Sequence, residues 1–343
     1  MPQKRTVLAV VGGMVIFVVC GARAQGNNQL DPVSIPLLGK AGFSVMGTAT
    51  PEVAMPATFT FNPAALAAAR TFFKATHGVE FDVGHYTFQE GPEITLDIQN
   101  FFFPVKRGLV RISRFGVHSS TAEAKALSQL PPGTTARLPD GDAIEISYGY
   151  RLSPQWHVGI ALVPVDKVRT VVNNDGATLA RGEAKSQFQG RVGAHYQPNE
   201  KWSAGAVWAR ERIGSRVELA PALSGLPVPV DVTGKYRNPI TILGAAYQVR
   251  QGTFLIGNWE RYRLTGPSLS EDLDILFYGI MQFLSQAGSN VTIGSLQRGF
   301  FVSGNYVRGK FTLGFSYSPR ANRRLEDFIG RSKGGYLWIA VNY

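Results

Sequence analysis

Cysteine is all but missing from the 343 residues: Cys20 is the only one, and it stands within the first two dozen. A disulfide-stapled fold is thereby excluded, and no cysteine–histidine spacing of a metal site occurs. The five histidines are isolated from one another along the chain. Also missing are a nucleotide-binding loop, a haem motif and, past the first two dozen residues, any apolar run long enough for a membrane helix. These absences leave no cofactor and no metal to expect, and no nucleotide-driven energy coupling.

Lys4 and Arg5 precede an apolar run from Val7 to Val19, and Ala22-Arg23-Ala24 follows as an A-x-A site. Residues 1–24 therefore read as a secretory signal peptide cleaved before Gln25. The run is too short to anchor in a bilayer. Phe17, Val18 and Val19 are too bulky for a usual lipid-attachment signal at Cys20. The formal charge of +11 falls to +8 without Lys4, Arg5 and Arg23. For an exported, cysteine-free chain this excess points to anionic lipid head groups rather than nucleic acid.

What the sequence does have is glycine, 38 copies, and aromatics: 12 Tyr, 21 Phe and 5 Trp. It also has period-2 alternation. Ile144, Ile146, Tyr148, Tyr150 and Leu152 alternate with Glu145, Ser147, Gly149 and Arg151. Trp156, Val158, Ile160 and Leu162 repeat the pattern, as do Phe188, Val192 and Tyr196, and later Phe311, Leu313, Phe315 and Tyr317. Alternation over about ten residues is the length of a tilted membrane strand, with aromatics collecting at its ends. A soluble sandwich would have shorter strands and a more charged polar face. The fold class is all-β: residues 79–343 form a transmembrane antiparallel β-barrel in a bacterial outer membrane. Trp156, Ile160, Phe188, Phe311 and Phe315 are expected to face lipid.

Short turns fall at Lys106-Arg107-Gly108, Ser153-Pro154-Gln155, Pro198-Asn199-Glu200, Arg250-Gln251-Gly252 and Arg308-Gly309-Lys310. Longer irregular stretches separate them at 121–142, 170–185, 219–239, 266–296 and 321–333. Short periplasmic turns alternating with long external loops are the barrel pattern. Counting from Val79 gives about twelve strands, with fourteen possible. The ending "GYLWIAVNY" places Leu337, Ile339, Val341 and Tyr343 on one face. It resembles the C-terminal signal read by the outer-membrane assembly machinery, an expected partner.

Before the barrel, "TFTFNPAALAAARTFF" turns from alternation to helix at Asn62-Pro63. Asn62 suits an N-cap and Pro63 the first helical position. Residues 25–78 start in the periplasm, and the lumen is the place expected for them, as a hatch. Here "GFSVMGTATPEVAMPATFTFNPAALA" resembles the hatch of FadL-type transporters of long-chain fatty acids and aromatic hydrocarbons, with Asn62, Pro63 and Ala64 as its Asn-Pro-Ala motif. "EITLDIQNFFFPVKRGLVRISRFGVHSS" is similar to that family's second and third strands, and "YRNPITILGAAYQVRQGTFLIGNWERY" to a later hairpin. The resemblance implies fourteen strands, a blocked lumen and a kink in the third strand, at Phe115-Gly116, opening sideways to lipid. It implies passive uptake of a hydrophobic small molecule and no enzymatic activity.

In "LSEDLDILFYGIMQFLSQAG", Leu273, Leu276, Phe277, Ile280, Met281 and Leu284 follow helical spacing behind an acidic start. An apolar helix in an external loop resembles the family's ligand-capturing helices, so these six residues are expected to bind ligand, or the helix to lie as a lid on the barrel mouth. Arg320, Arg323, Arg324, Arg331 and Lys333 are expected to meet lipopolysaccharide phosphates and membrane lipid. Inside the lumen, Glu145, Arg151, Arg191 and His195 are expected to pair. Two competing readings remain. One is an outer-membrane lipid hydrolase using His118 and Ser120. The other is a structural or secretion-associated barrel.

Overall fold

The computed structural model describes residues 9–11, 14–16, 62–73, 78–88, 94–119, 122–123, 135–224, 227–266, 270–285, 289–296, 299–320 and 332–342. Inside the segment read as a signal peptide, Ala9–Val11 pairs antiparallel with Met14–Ile16. The cleavage site and residues 25–61 of the expected hatch lie outside the described residues.

The barrel strands are β1 (Gly78–Phe88), β2 (Ile94–Val105), β3 (Gly108–Ser119), β4 (Thr135–Arg151), β5 (Trp156–Asn174), β6 (Ala177–Tyr196) and β7 (Trp202–Leu219). They continue as β8 (Val230–Arg250), β9 (Thr253–Thr265), β10 (Ser270–Phe283), β11 (Asn290–Leu296), β12 (Gly299–Arg308), β13 (Phe311–Arg320) and β14 (Ser332–Asn342). Each pairs antiparallel with the next, and β14 pairs back to β1, with Val341 opposite Val79. Ala122–Glu123 adds a two-residue pairing to β4 alone. Among the described residues, then, fourteen strands close the ring. Closure leaves the sheet with no terminal edge strand, as a bilayer demands.

The count of twelve missed β10 and β11, both inside the stretch 266–296. The helix expected over 270–284 is therefore a strand. Leu264 pairs with Glu271 and Thr253 with Gln282 on one side, and Phe277 pairs with Leu296 on the other. A continuous apolar run satisfies helical and strand spacing alike, and here the two neighbouring ladders supply the backbone partners. The stretch 170–185 is likewise no irregular loop. β5 and β6 run to Asn174 and Ala177, joined by Asp175 at φ 47° and Gly176 at φ 80°. Two successive positive φ angles make the tight hairpin turn that matches strand twist.

Inward and outward residues alternate along the wall. Outward, Trp156, Ile160, Phe311 and Phe315 are all exposed, as expected of a lipid face; the side chain of Phe188 lies outside the described ones. Near the short turns Trp156 stacks on Tyr196 with ring centroids 4.4 Å apart, and Trp202 lies 4.5 Å from Tyr247. Such rings form the interfacial girdle. Along β7 the outward series Trp202, Ala204, Ala206, Trp208 gives way to Arg210 and Arg212. The apolar belt ends there and the strands continue past it. No described helix is long and apolar enough to cross a membrane; the strands do the crossing.

Candidate functional site

The helix α1 (Pro63–Phe73) lies against the inner faces of β4, β5 and β6. Asn62 caps it: its Oδ1 accepts from the Ala64 N–H at 3.0 Å, while its Nδ2 donates to the Ala194 carbonyl of β6 at 3.0 Å. One side chain thus ends the helix and ties it to the wall. Ala64, Ala65, Leu66, Ala67 and Ala68 are all buried. Five consecutive residues exceed one turn, so every side of this part of the helix is covered. Leu66 clusters with Phe102 of β2 and Leu109 of β3. The helix lies mainly across β4, β5 and β6 and reaches β3 through Leu109.

What admits it is a row of three glycines. Gly149, Gly159 and Gly193 stand opposite one another on β4, β5 and β6. A Cβ on Gly149 would come within 2.6 Å of the Pro63 carbonyl oxygen. One on Gly159 would overlap the backbone of Pro63 and Ala64, and one on Gly193 the side chain of Asn62. Without Cβ atoms, helix backbone and strand backbone meet directly.

One inward position further from the short turns lies a charged layer. Arg111 Nη2 donates to Glu145 Oε1 at 2.6 Å, Arg191 Nη2 pairs with Glu145 Oε2, and Ser147 Oγ donates to Oε1. Both ion pairs are almost fully buried. Glu145 and Arg191 pair as expected, and Arg111 is the partner that the sequence did not reveal. Arg151 instead donates to the Ser153 carbonyl at 3.4 Å, and the His195 ring lies 5.6 Å from that of His157.

Toward the external end the inner wall turns apolar. Val172, Leu179, Ala180, Val217 and Leu219 form a buried cluster with Val232 packed against it. Val168, Ala184 and Ile213, also buried, continue this strip toward the short turns. The strip ends at a break in the wall. In the β5–β6 ladder Lys167 pairs with Lys185 and Leu162 with Gly190, and nothing pairs between them. Residues 163–166 and 186–189 are thus unladdered toward each other. Both strands stay held on their far sides, across register shifts at Ile144/Ile146 and at Arg212/Ile213. Pro164 sits in the break, where its missing N–H forfeits nothing. Across it, Ser186 Oγ lies 3.1 Å from Asp166 Oδ2 and 2.6 Å from Glu211 Oε1. Outside it stand the exposed Leu162 and Val165.

No family model matches the chain, and no curated protein matches it in sequence. In structure it is similar to the toluene transporter TbuX of Ralstonia pickettii, with a TM-score of 0.53 and 12% identity over 84% of this chain and 94% of that one. It is also similar to a Pseudomonas aeruginosa FadL homologue, at 0.51 and 12% over 90% and 97%. The chain has the FadL-type fold. It is an all-β outer-membrane barrel architecture, and the apolar belt is its membrane span.

Within this FadL-type barrel, β3 is where the resemblance implied a lateral gap. Phe115 stands opposite Ile98 and Ala143, and Gly116 opposite Asp97 and Asp142, with no register shift in either ladder. The Asp97 carboxylate fills the space that a Gly116 side chain would take. The wall is closed at Phe115-Gly116 because two complete ladders hold it. Of the residues expected to capture ligand, Leu276 and Ile280 point outward from β10 and are about half exposed, Met281 is buried, and Leu284, just past the strand, is exposed. Leu273 and Phe277 belong to the same strand, with side chains outside the described ones. The six are not gathered on a helix.

His118 Nε2 lies 3.2 Å from Asp97 Oδ1 on the outer face, near an exposed Arg114–Asp142 pair, also at 3.2 Å. Ser120 lies outside the described residues, as do the side chains of Arg320, Arg323, Arg324, Arg331 and Lys333. Among the described residues no three His, Cys, Asp or Glu side chains are grouped to hold a metal ion.

Proposed function

We propose that this FadL-type barrel takes up hydrophobic small molecules, long-chain fatty acids or aromatic hydrocarbons, and releases them sideways into the membrane. The observation that carries the reading is the apolar inner strip of β5–β7, which runs from the external end to the interrupted β5–β6 ladder. Ligand enters along Val172, Val217 and Leu219, passes Val168 and Ile213, and leaves between residues 163–166 and 186–189. The straight path runs into α1 and the doubly ion-paired Arg111–Glu145–Arg191 layer, whereas the sideways path must part the Asp166–Ser186–Glu211 hydrogen bonds. Release into water would also forfeit burial worth roughly 0.8 kcal/mol per methylene. A sideways exit keeps that surface out of water. The exit is placed at the β5–β6 break rather than at the fully laddered Phe115-Gly116.

The toluene transporter and the FadL homologue that share the fold support the substrate class. The test is uptake of labelled oleate and of toluene in cells lacking their own transporter. Entry of either at a higher rate than with empty vector is expected. Equal rates for both would discard uptake in favour of a structural or secretion-associated barrel.

A further inference from the structure

Beyond the apolar belt, β5 to β8 continue outward and their outer faces form a concavity of about 1000 Å³. Five cationic side chains line it, Arg169, Arg181, Lys185, Arg216 and Lys235, against two acidic ones, Glu183 and Glu218. Arg216 is already engaged: its Nε and Nη2 donate to the two Asp231 oxygens at 3.2 and 2.6 Å. Those hydrogen bonds hold the Asp231 carboxyl below its ordinary range. Glu183 is likewise occupied by Lys167 at 2.5 Å. Arg169, Arg181, Lys185 and Lys235 are exposed, and none forms an ion pair with a described acidic side chain, although Glu183 stands opposite Arg169 and Glu218 opposite Arg181 in the ladders. A folded surface that leaves four like charges together gives up stability to self-repulsion. Such a cluster is explained by an anion that neutralises it.

We infer that this groove is a binding site for the phosphorylated head group of an outer-leaflet lipid. The position selects a lipid over a free anion. Toward the short turns the outward side chains become apolar and exposed, at Val165 two residues from Lys167 on β5 and, past Arg210, Arg212 and Arg237, at Trp208 and Leu243. A phosphate held by Lys185 and Lys235 would leave its acyl chains lying on that belt. Guanidinium forks on the flanking arginines suit phosphate oxygens in pairs. The site is on the outside of the wall and is independent of the transport reading.

The experiment uses the full mature protein purified in detergent, with native mass spectrometry of added lipid A in its bis-phosphorylated and phosphate-free forms. Replacing Arg169, Arg181, Lys185 and Lys235 by Gln is expected to weaken the bis-phosphorylated lipid by about tenfold or more, and to leave the phosphate-free lipid unchanged. The variant pair Lys185→Gln with Lys235→Gln, which disturbs the strands less, should give a smaller loss in the same direction. Lys201→Gln with Lys310→Gln, at the opposite end of the barrel, should bind like wild type. Heat-dependent gel mobility checks that each barrel is folded. Wild-type binding by both groove variants would overturn the inference. So would equal wild-type affinity for the two lipids, or complete displacement of the lipid by inorganic phosphate, which would mark a free-anion site.

Discussion

At Gly159 even one added carbon would meet the backbone of Pro63 and Ala64. Gly159→Val therefore sets helix and wall against each other. Overpacking costs about 1–3 kcal/mol where both stay put, and the helix, a short element docked inside a laddered wall, is the part that gives way. The expected outcome is a barrel of normal gel mobility with raised ion conductance in planar bilayers; unchanged conductance would mean that α1 does not obstruct the lumen. Glu145→Gln makes a different prediction from the neighbouring layer. It leaves Arg111 and Arg191 buried without their shared carboxylate. Removing one member of a buried ion pair costs about 3–5 kcal/mol, so the variant should unfold at lower urea in detergent. Asn62 and Pro63 were legible as a cap because capping is local chemistry. The glycine row was not, since Gly149, Gly159 and Gly193 meet only once the register of three strands is known.

The strands differ in how openly their sequences declare them. β5, β6 and β13 alternate in their halves nearer the short turns, because there one face meets lipid and the other a lumen lined by polar and small residues. β10 does not, since Leu273, Ile275, Phe277 and Met281, the alternate positions of its sequence, are as apolar as Leu276, Tyr278 and Ile280. Its helical reading and its strand pairing both satisfy the residues, and only the ring's need for neighbours decides between them. The Asp175-Gly176 turn, by contrast, was a readable hairpin signal that polar surroundings disguised as a loop. β10 can be checked by placing charge on its outer face. Leu276→Arg and Ile280→Arg should each destabilise the barrel, by up to about 2–4 kcal/mol at the bilayer midplane and less near an interface. A lipid-soluble quencher should also reach a probe at 280 more readily than one at 281. An external loop helix would show neither effect.

For the whole molecule, the ring of fourteen strands has ladders on both sides of every strand, and the β5–β6 ladder is interrupted within it rather than at an end. Val163-Pro164 was the readable trace of that interruption, because proline cannot donate to a central ladder and settles at bulges. The proposed exit rests on it and is tested separately from uptake as such. Cys20 is the only cysteine and lies outside the barrel strands, so an introduced pair is unambiguous. Val165→Cys with Gln187→Cys places one thiol on each side of the unladdered segment, two residues from the Lys167–Lys185 pair, and a short bis-maleimide would fix the two strands together. Asp97→Cys with Gly116→Cys does the same at β2–β3, where the ladder is already complete. If hydrophobic ligand leaves through the β5–β6 break, cross-linking the first pair should cut uptake sharply while ligand binding to the purified protein persists. Cross-linking the second should change little, because it fastens strands that hydrogen bonds already hold. The reverse pattern would put the exit at Phe115-Gly116. Uptake untouched by either cross-link would mean that the ligand does not leave through the wall at these two places, and the path would then have to run past α1.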